Sequence, residues 1–344
     1  MLKDDKDKCL DKKQAQDNPR RKFLRDAAVG AMGVAMLAGT QTLAETDAEA
    51  NARISWAEWF QGNYRLMTDD EKRDALNRLE ARYTEEYGKR VTVKDAPPME
   101  GVLFGYALNI QKCVGCRRCV YACVKENNQS RYDSDIQWIR VIEMEKGDFS
   151  SAHMKEAGTF DSTRVGAFSG ENMGVTLEGE HYYDPPAVPE KGHFYFPIQC
   201  MQCENPPCVK VCPARATYRE KDGIVVIDYN WCIGCRMCVA ACPYWARRFN
   251  WGEPNLPPEE MNPVTHYLGN RPRMMGVTEK CTFCLQRTRE GRYPACVEVC
   301  PVGARKFGNL LDPESEVRKV LERKKVFRLK ADLNTYPKFF YFID

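Results

Sequence analysis

Sixteen of the seventeen cysteines in this chain stand in four groups of four, and a fold that must gather thiols at such spacings has few forms open to it. The first group reads CVGCRRCVYAC and contributes Cys113, Cys116, Cys119 and Cys123. The second, CMQCENPPCVKVCP, holds Cys200, Cys203, Cys208 and Cys212. The third, CIGCRMCVAACP, holds Cys232, Cys235, Cys238 and Cys242. The fourth is split by a longer spacer and holds Cys281, Cys284, Cys296 and Cys300. Only Cys9 is left over, in a leader expected to be removed.

Three thiolates in C-x2-C-x2-C sit on a tight loop that can wrap one corner of an iron–sulfur cube. A fourth cysteine three residues on turns away with a helix and faces a different cluster, as in the bacterial ferredoxin run. Pro213, Pro243 and Pro301 close three of the groups in that style, while the first ends in Cys123-Val124. Gly115 and Gly234 suit a loop whose backbone approaches the cluster sulfides and donates N–H groups to them. Structural zinc also uses C-x2-C pairs, but its sites usually close with two such pairs. A disulfide framework belongs to small exported domains, and this chain is long enough to bury its own core.

Shared ligands make the motifs work in pairs. The second and third groups are joined by ATYREKDGIVVID, whose Asp222-Gly223 is a strong hairpin signal. They resemble one self-contained two-cluster ferredoxin. On that reading one cluster takes Cys200, Cys203, Cys208 and Cys242, and its neighbour takes Cys232, Cys235, Cys238 and Cys212. The first and fourth groups then have each other, giving one cluster on Cys113, Cys116, Cys119 and Cys300 and another on Cys281, Cys284, Cys296 and Cys123. The expected fold is α+β, with two ferredoxin-like two-cluster units, one inserted in the other, loop insertions and an N-terminal helical arm.

Four groups in this order, the long spacer in the last and the tail LKADLNTYPKFFYF resemble the four-cluster electron-transfer subunit of the dimethyl sulfoxide and polysulfide reductase family. The resemblance runs from about residue 104 to the C-terminus. It implies four [4Fe–4S] centres, since the third group keeps the cysteine that nitrate reductase relatives replace by tryptophan. It implies an electron-transfer subunit with no catalytic site of its own. The catalytic partner would be a molybdopterin enzyme, or alternatively a multihaem reductase or nickel–iron hydrogenase. The membrane partner would be a polytopic quinol-reactive subunit. A freestanding periplasmic polyferredoxin is the competing reading.

Residues 1–50 read as a twin-arginine signal: Arg20-Arg21-Lys22-Phe23-Leu24 precedes a short apolar stretch and small-residue sites at Ala44 and Ala50. The route fits, because it moves cargo already folded around its cofactors, and the expected destination is the periplasm. Nine of the 51 basic and six of the 48 acidic residues lie in 1–26, leaving 42 of each, so nothing favours nucleic acid. The arm, 51–103, carries a capping box at Thr68 and Glu71 and a helix to about Tyr87, with Leu76, Leu79, Tyr83 and Tyr87 on one face. The outer unit is expected at 104–193 and 273–344, with a strand over 136–144 and a surface insertion at 146–192. The inner unit is expected at 194–272 and ends in a polar, proline-rich loop.

His153, His181, His193 and His266 fall in expected loops, without the neighbours that would make them haem or metal ligands. Arg117, Arg118, Arg236, Arg247 and Arg248 stand beside the cysteines, where cluster tuning and ordinary solvated surface explain them equally well. Trp231, Trp245 and Trp251 are expected to shield the centres from water.

Overall fold

The strand that precedes the first cysteine group, Phe104–Asn109, has all six residues buried, and the rest of the fold is arranged to cover it. In the computed structural model, which describes residues 67–131, 135–146, 189 and 191–344, this strand pairs antiparallel with Arg305–Asn309. On its other edge it pairs parallel with Phe339–Ile343, and Lys325–Phe327 closes the sheet outside that. Side chains alternate across the pleat. Ala107, Phe340 and Phe342 meet Leu310 and Val317 under the Glu316–Arg323 helix. Phe104, Tyr106, Phe307, Phe339 and Tyr341 face the cysteine side. There Tyr106 stacks on Phe339 at 4.7 Å and Phe104 on Phe307 at 5.2 Å between ring centres.

The cysteine loops hang from short ladders. Thr217–Arg219 and Val225–Ile227 form the hairpin expected between the second and third groups, with Gly223 at φ +79° in its turn. Arg248–Phe249 pairs with Thr278–Glu279. Arg140–Glu145 pairs with His193–Ile198 in antiparallel register. The expected strand over 136–144 therefore starts later, at Arg140. Trp138 is buried before the ladder begins, with its backbone N–H donated to Gln129 Oε1 and its indole N–H to Glu279 at 2.8 Å. Pairing with side chains has replaced pairing with a strand there.

The Asp69–Tyr87 helix begins with the expected capping box, Thr68 and Glu71 each bonding the other's backbone N–H, and ends on Gly88 in the left-handed conformation. Its face of Leu76, Leu79, Tyr83 and Tyr87 packs on Val91, Val93, Leu256 and Met261. The proline-rich loop is thus the arm's own partner within the chain. Thr92–Lys94 then pairs in parallel with Val264–His266. His266 is accordingly a buried strand residue and not a loop histidine. Its Nδ1 accepts from Leu268 N–H and its Nε2 faces the Ala96 carbonyl, which specifies the neutral ring. His193 begins a strand as well, half-buried. Among the described residues no helix is long and apolar enough to cross a membrane. The leader with Arg20 and Arg21, Cys9, the start of the arm to residue 66, His153, His181 and nearly all of the 146–192 insertion lie outside the described residues.

Candidate metal centres

Each cysteine loop makes its turn at the residue before its second cysteine. Gly115 and Gly234 take positive φ there (+76° and +72°), as do Gln202 (+46°) and Phe283 (+56°) in the other two loops. A left-handed turn costs an L-residue roughly 1–2 kcal/mol, so glycine is the easy choice. At Gly115 a Cβ would run into the Tyr195 ring, and at Gly234 into the Gly276 carbonyl. The two non-glycine turns are held by their side chains. Gln202 donates to Cys281 O at 2.7 Å and accepts from Val225 N–H at 2.8 Å. Phe283 packs against Tyr106 and Phe307.

The structure brings the thiols together across the chain. Cys113, Cys116, Cys119 and the distant Cys300 line one cavity, with about 370 Å³ of atom-free space, part of it open to solvent. Cys200, Cys203, Cys208 and Cys242 line a second, with about 340 Å³. Cys123 lies among Cys281, Cys284 and Cys296, and Asn127 Nδ2 reaches both Cys123 and Cys284 sulfurs at 3.6 Å. Cys232 has Cys238 and Cys212 as its thiol neighbours, with the exposed Cys235 on the same loop.

The four quartets also touch in sequence. Tyr106 hydroxyl meets Cys296 at 3.3 Å and accepts from Arg305, whose other nitrogen donates to Cys119 at 3.1 Å. Cys200 is the thiol that acts most strongly on Cys281. Cys208 and Cys238 pack on Val225 in one cluster. The order is therefore the Cys113 quartet, the Cys281 quartet, the Cys200 quartet and the Cys232 quartet.

All sixteen described cysteines are free. Burial pushes the Cys119 thiol up to about 11 and Cys203 to about 12, and holds Cys123 and Cys281 well above the usual range. Left alone, such thiols stay protonated at neutral pH; coordination removes the proton outright. Among the described residues no three His, Cys, Asp or Glu side chains converge on one point as a single ion requires. Zinc would need each sulfur at about 2.3 Å. Thiols around a larger void suit a polynuclear group instead. So do the N–H donors aimed at sulfur: Gln129 to Cys123 at 3.1 Å, Arg247 to Cys208 at 2.9 Å and Phe283 N–H to Cys281 at 3.4 Å.

Several neighbours differ from expectation. Arg117, Arg247 and Arg248 are buried, so the solvated-surface explanation fails for them. Trp231, Trp245 and Trp251 are substantially exposed, Trp251 to 71%. Trp251 lies under the Arg236 guanidinium at 4.4 Å and against Phe249, so it covers an arginine and not a centre. Arg305, Lys280, Gln129, Gln202 and Phe283 carried no local spacing signal, and only long-range contact reveals them.

Residues 192–256 and 268–310 match the family model of the 4Fe-4S dicluster domain. The chain is 39% identical to a provisionally named dimethyl sulfoxide reductase iron–sulfur subunit of Halobacterium salinarum, over 69% of this chain and 78% of that one. It is 34% identical to the menaquinone reductase iron–sulfur cluster-binding subunit of Nitratidesulfovibrio vulgaris, over 70% and 88%. One polypeptide of the polysulfide reductase of Wolinella succinogenes is 42% identical over 42% of this chain and 65% of that one. The chain belongs to the family of iron–sulfur subunits of dimethyl sulfoxide, polysulfide and related reductases.

Proposed function

We propose that the chain carries single electrons along a row of four [4Fe–4S] centres between a catalytic reductase subunit and a membrane quinol-reactive subunit in anaerobic respiration. The observation that supports this reading is the convergence of Cys113, Cys116, Cys119 and Cys300 on one cavity and of Cys200, Cys203, Cys208 and Cys242 on another, with further free thiols grouped beside them. The ligand sets are Cys113, Cys116, Cys119 and Cys300; Cys281, Cys284, Cys296 and Cys123; Cys200, Cys203, Cys208 and Cys242; and Cys232, Cys235, Cys238 and Cys212. A bound centre at each set would supply a one-electron couple without proton chemistry. The protein's part is to hold the thiolates, aim N–H donors at sulfur and exclude water from the middle of the row.

The nested arrangement follows from the same sets: an inner unit at 194–272 lies within an outer one at 104–193 and 273–344. By family resemblance the catalytic partner is a molybdopterin enzyme. A relative named for menaquinone supports a quinone-linked membrane partner. The twin-arginine leader supports export to the periplasm; replacing Arg20 and Arg21 by lysine should strand uncut precursor in the cytoplasm, and normal processing would refute the signal.

The decisive test is chemical. Anaerobically isolated protein should contain about sixteen iron and sixteen sulfide. Iron near eight, or stoichiometric zinc, would sink the assignment. In the same preparation Cys300→Ser should alter the centre altered by Cys113→Ser, and loss of the Cys281 centre instead would break the crossed pairing.

A further inference from the structure

The row has three junctions, and at each stands a buried cation with no carboxylate partner among the described residues. Between the Cys113 and Cys281 quartets, Arg305 donates to Cys119, Tyr106 and Gln199, and Tyr106 carries the contact on to Cys296. Between the Cys281 and Cys200 quartets, Lys280 ammonium bonds the carbonyls of Val225 and Cys281, and Val225 lines the Cys200 cavity. Between the Cys200 and Cys232 quartets, Arg247 donates to Cys208 and Thr217, beside the packed pair of Cys208 and Cys238. Its Nε and Nη1 are buried without a hydrogen-bond partner among the described residues.

Several other buried cations have acidic partners among the described residues. Arg273 pairs with Glu279 at 2.9 Å, Arg131 with Glu260 at 2.9 Å, and Arg289 with Asp222 at 2.9 Å and with Glu220. A buried charge with no counter-charge costs several kcal/mol. The residues electrostatically nearest to Arg305, Lys280 and Arg247 include no Asp or Glu; thiols lead among those that favour their charge. The missing anion at each is therefore a sulfur ligand, and each cation stands between ligands of two different quartets.

Resting on the four-centre reading above, we infer that Arg305, Lys280 and Arg247 are junction residues. Each sets the reduction potentials of the two centres it separates and offsets the repulsion that would otherwise disfavour reducing neighbours together. Negative charge added on either side is attracted to the same cation, and the dry surroundings leave that attraction little screened. Arg140 provides the contrast. It is also buried, but it bonds the Tyr244 carbonyl and has only Cys242 as a thiol neighbour, which makes it a one-centre residue.

The test is a redox titration of the holoprotein followed by electron paramagnetic resonance, on Arg305→Gln, Lys280→Gln, Arg247→Gln and Arg140→Gln. Each junction variant should lower two of four potentials by at least a tenfold change in reduction equilibrium, about 59 mV for one electron. Arg140→Gln should lower one. The pattern needs no assignment of signals: the pairs moved by Arg305→Gln and Arg247→Gln share no centre, and the pair moved by Lys280→Gln shares one with each. Arg305→Lys and Arg247→Lys, which keep the charge but lose the fork, should recover most of the shift. Single-centre shifts, shifts of all four, or no recovery by lysine would overturn the inference. Iron measured on the same samples separates the cases. Wild-type iron far below about sixteen refutes the four-centre reading, whereas full iron with the wrong pattern refutes only the junction roles. Three junctions give three independent trials, so one variant that fails to load leaves the pattern testable in the others.

Discussion

The two ends of the row and its middle use the same loop and build it differently. The first and third cysteine groups, at the ends, turn on Gly115 and Gly234 and leave Cys116 and Cys235 partly or fully open. The second and fourth, in the middle, turn on Gln202 and Phe283 and bury Cys203 and Cys284. At the third group Ile233 and Met237 are about half exposed, and Trp231 nearly so. In the middle the turn residue is itself a structural member. It accepts roughly 1–2 kcal/mol of backbone strain because its side chain returns more in packing and hydrogen bonds. On the proposed reading, open ends suit exchange with another protein, and a dry middle shields the one-electron steps in between.

That contrast can be broken at single residues. The largest effect is expected for Phe283→Ala, which empties a fully buried site beside Tyr106 and Phe307. Anaerobic denaturant unfolding should show a loss of about 3–5 kcal/mol. A loss below about 1 kcal/mol would mean that the centre alone holds the middle loop, against the usual cost of such a cavity.

Gln202→Gly comes next and sets strain against hydrogen bonding. Glycine relieves the turn, yet Cys281 O loses the amide donor and Val225 N–H its acceptor. Two buried groups left unpaired cost about 1–3 kcal/mol each, so a net loss of about 2 kcal/mol is expected. Any gain in stability on the same measurement would show that strain dominates and that the side chain is incidental. The smallest effect belongs to the end loop. Ile233→Ala should change stability by within about 0.5 kcal/mol, since the side chain is about half in water and packs on little. A drop several times larger would mean that the end loops are packed as firmly as the middle ones.

What the sequence made legible was local in origin. The capping box at Thr68 and Glu71, the turn at Gly223 and the left-handed glycines at 115 and 234 all appear where short-range rules put them. The nearness of Cys300 to Cys113 was legible only by elimination, once the second and third groups were paired with each other on the ferredoxin pattern, because nothing near either residue encodes a partner so far along the chain. Arg305 lies in an ordinary strand and Lys280 beside a cysteine, with no spacing to distinguish them from surface cations. Gln202 and Phe283 escaped notice because sequence reasoning looks for glycine at a left-handed turn, and here the tertiary contacts override that preference. His266 was misread for the complementary reason. Its partner strand, Thr92–Lys94, belongs to the arm, and a three-residue parallel pairing leaves no periodic signature.

The long reach from Cys119 to Cys300 also has a consequence in time. A ribosome adds roughly 5–20 residues per second, so the 181 residues added after Cys119, up to and including Cys300, take on the order of 10–40 s to synthesise. Throughout that interval Cys113, Cys116 and Cys119 exist as uncapped nucleophiles on a nascent chain, while the later second and third groups can already close on each other. On the proposed pairing, assembly would therefore run from the inside outward. On that pairing the site whose cysteines are made first is finished among the last, and its thiols need a reducing environment, or a protein that shelters them, until Arg305–Asn309 arrives to pair with Phe104–Asn109.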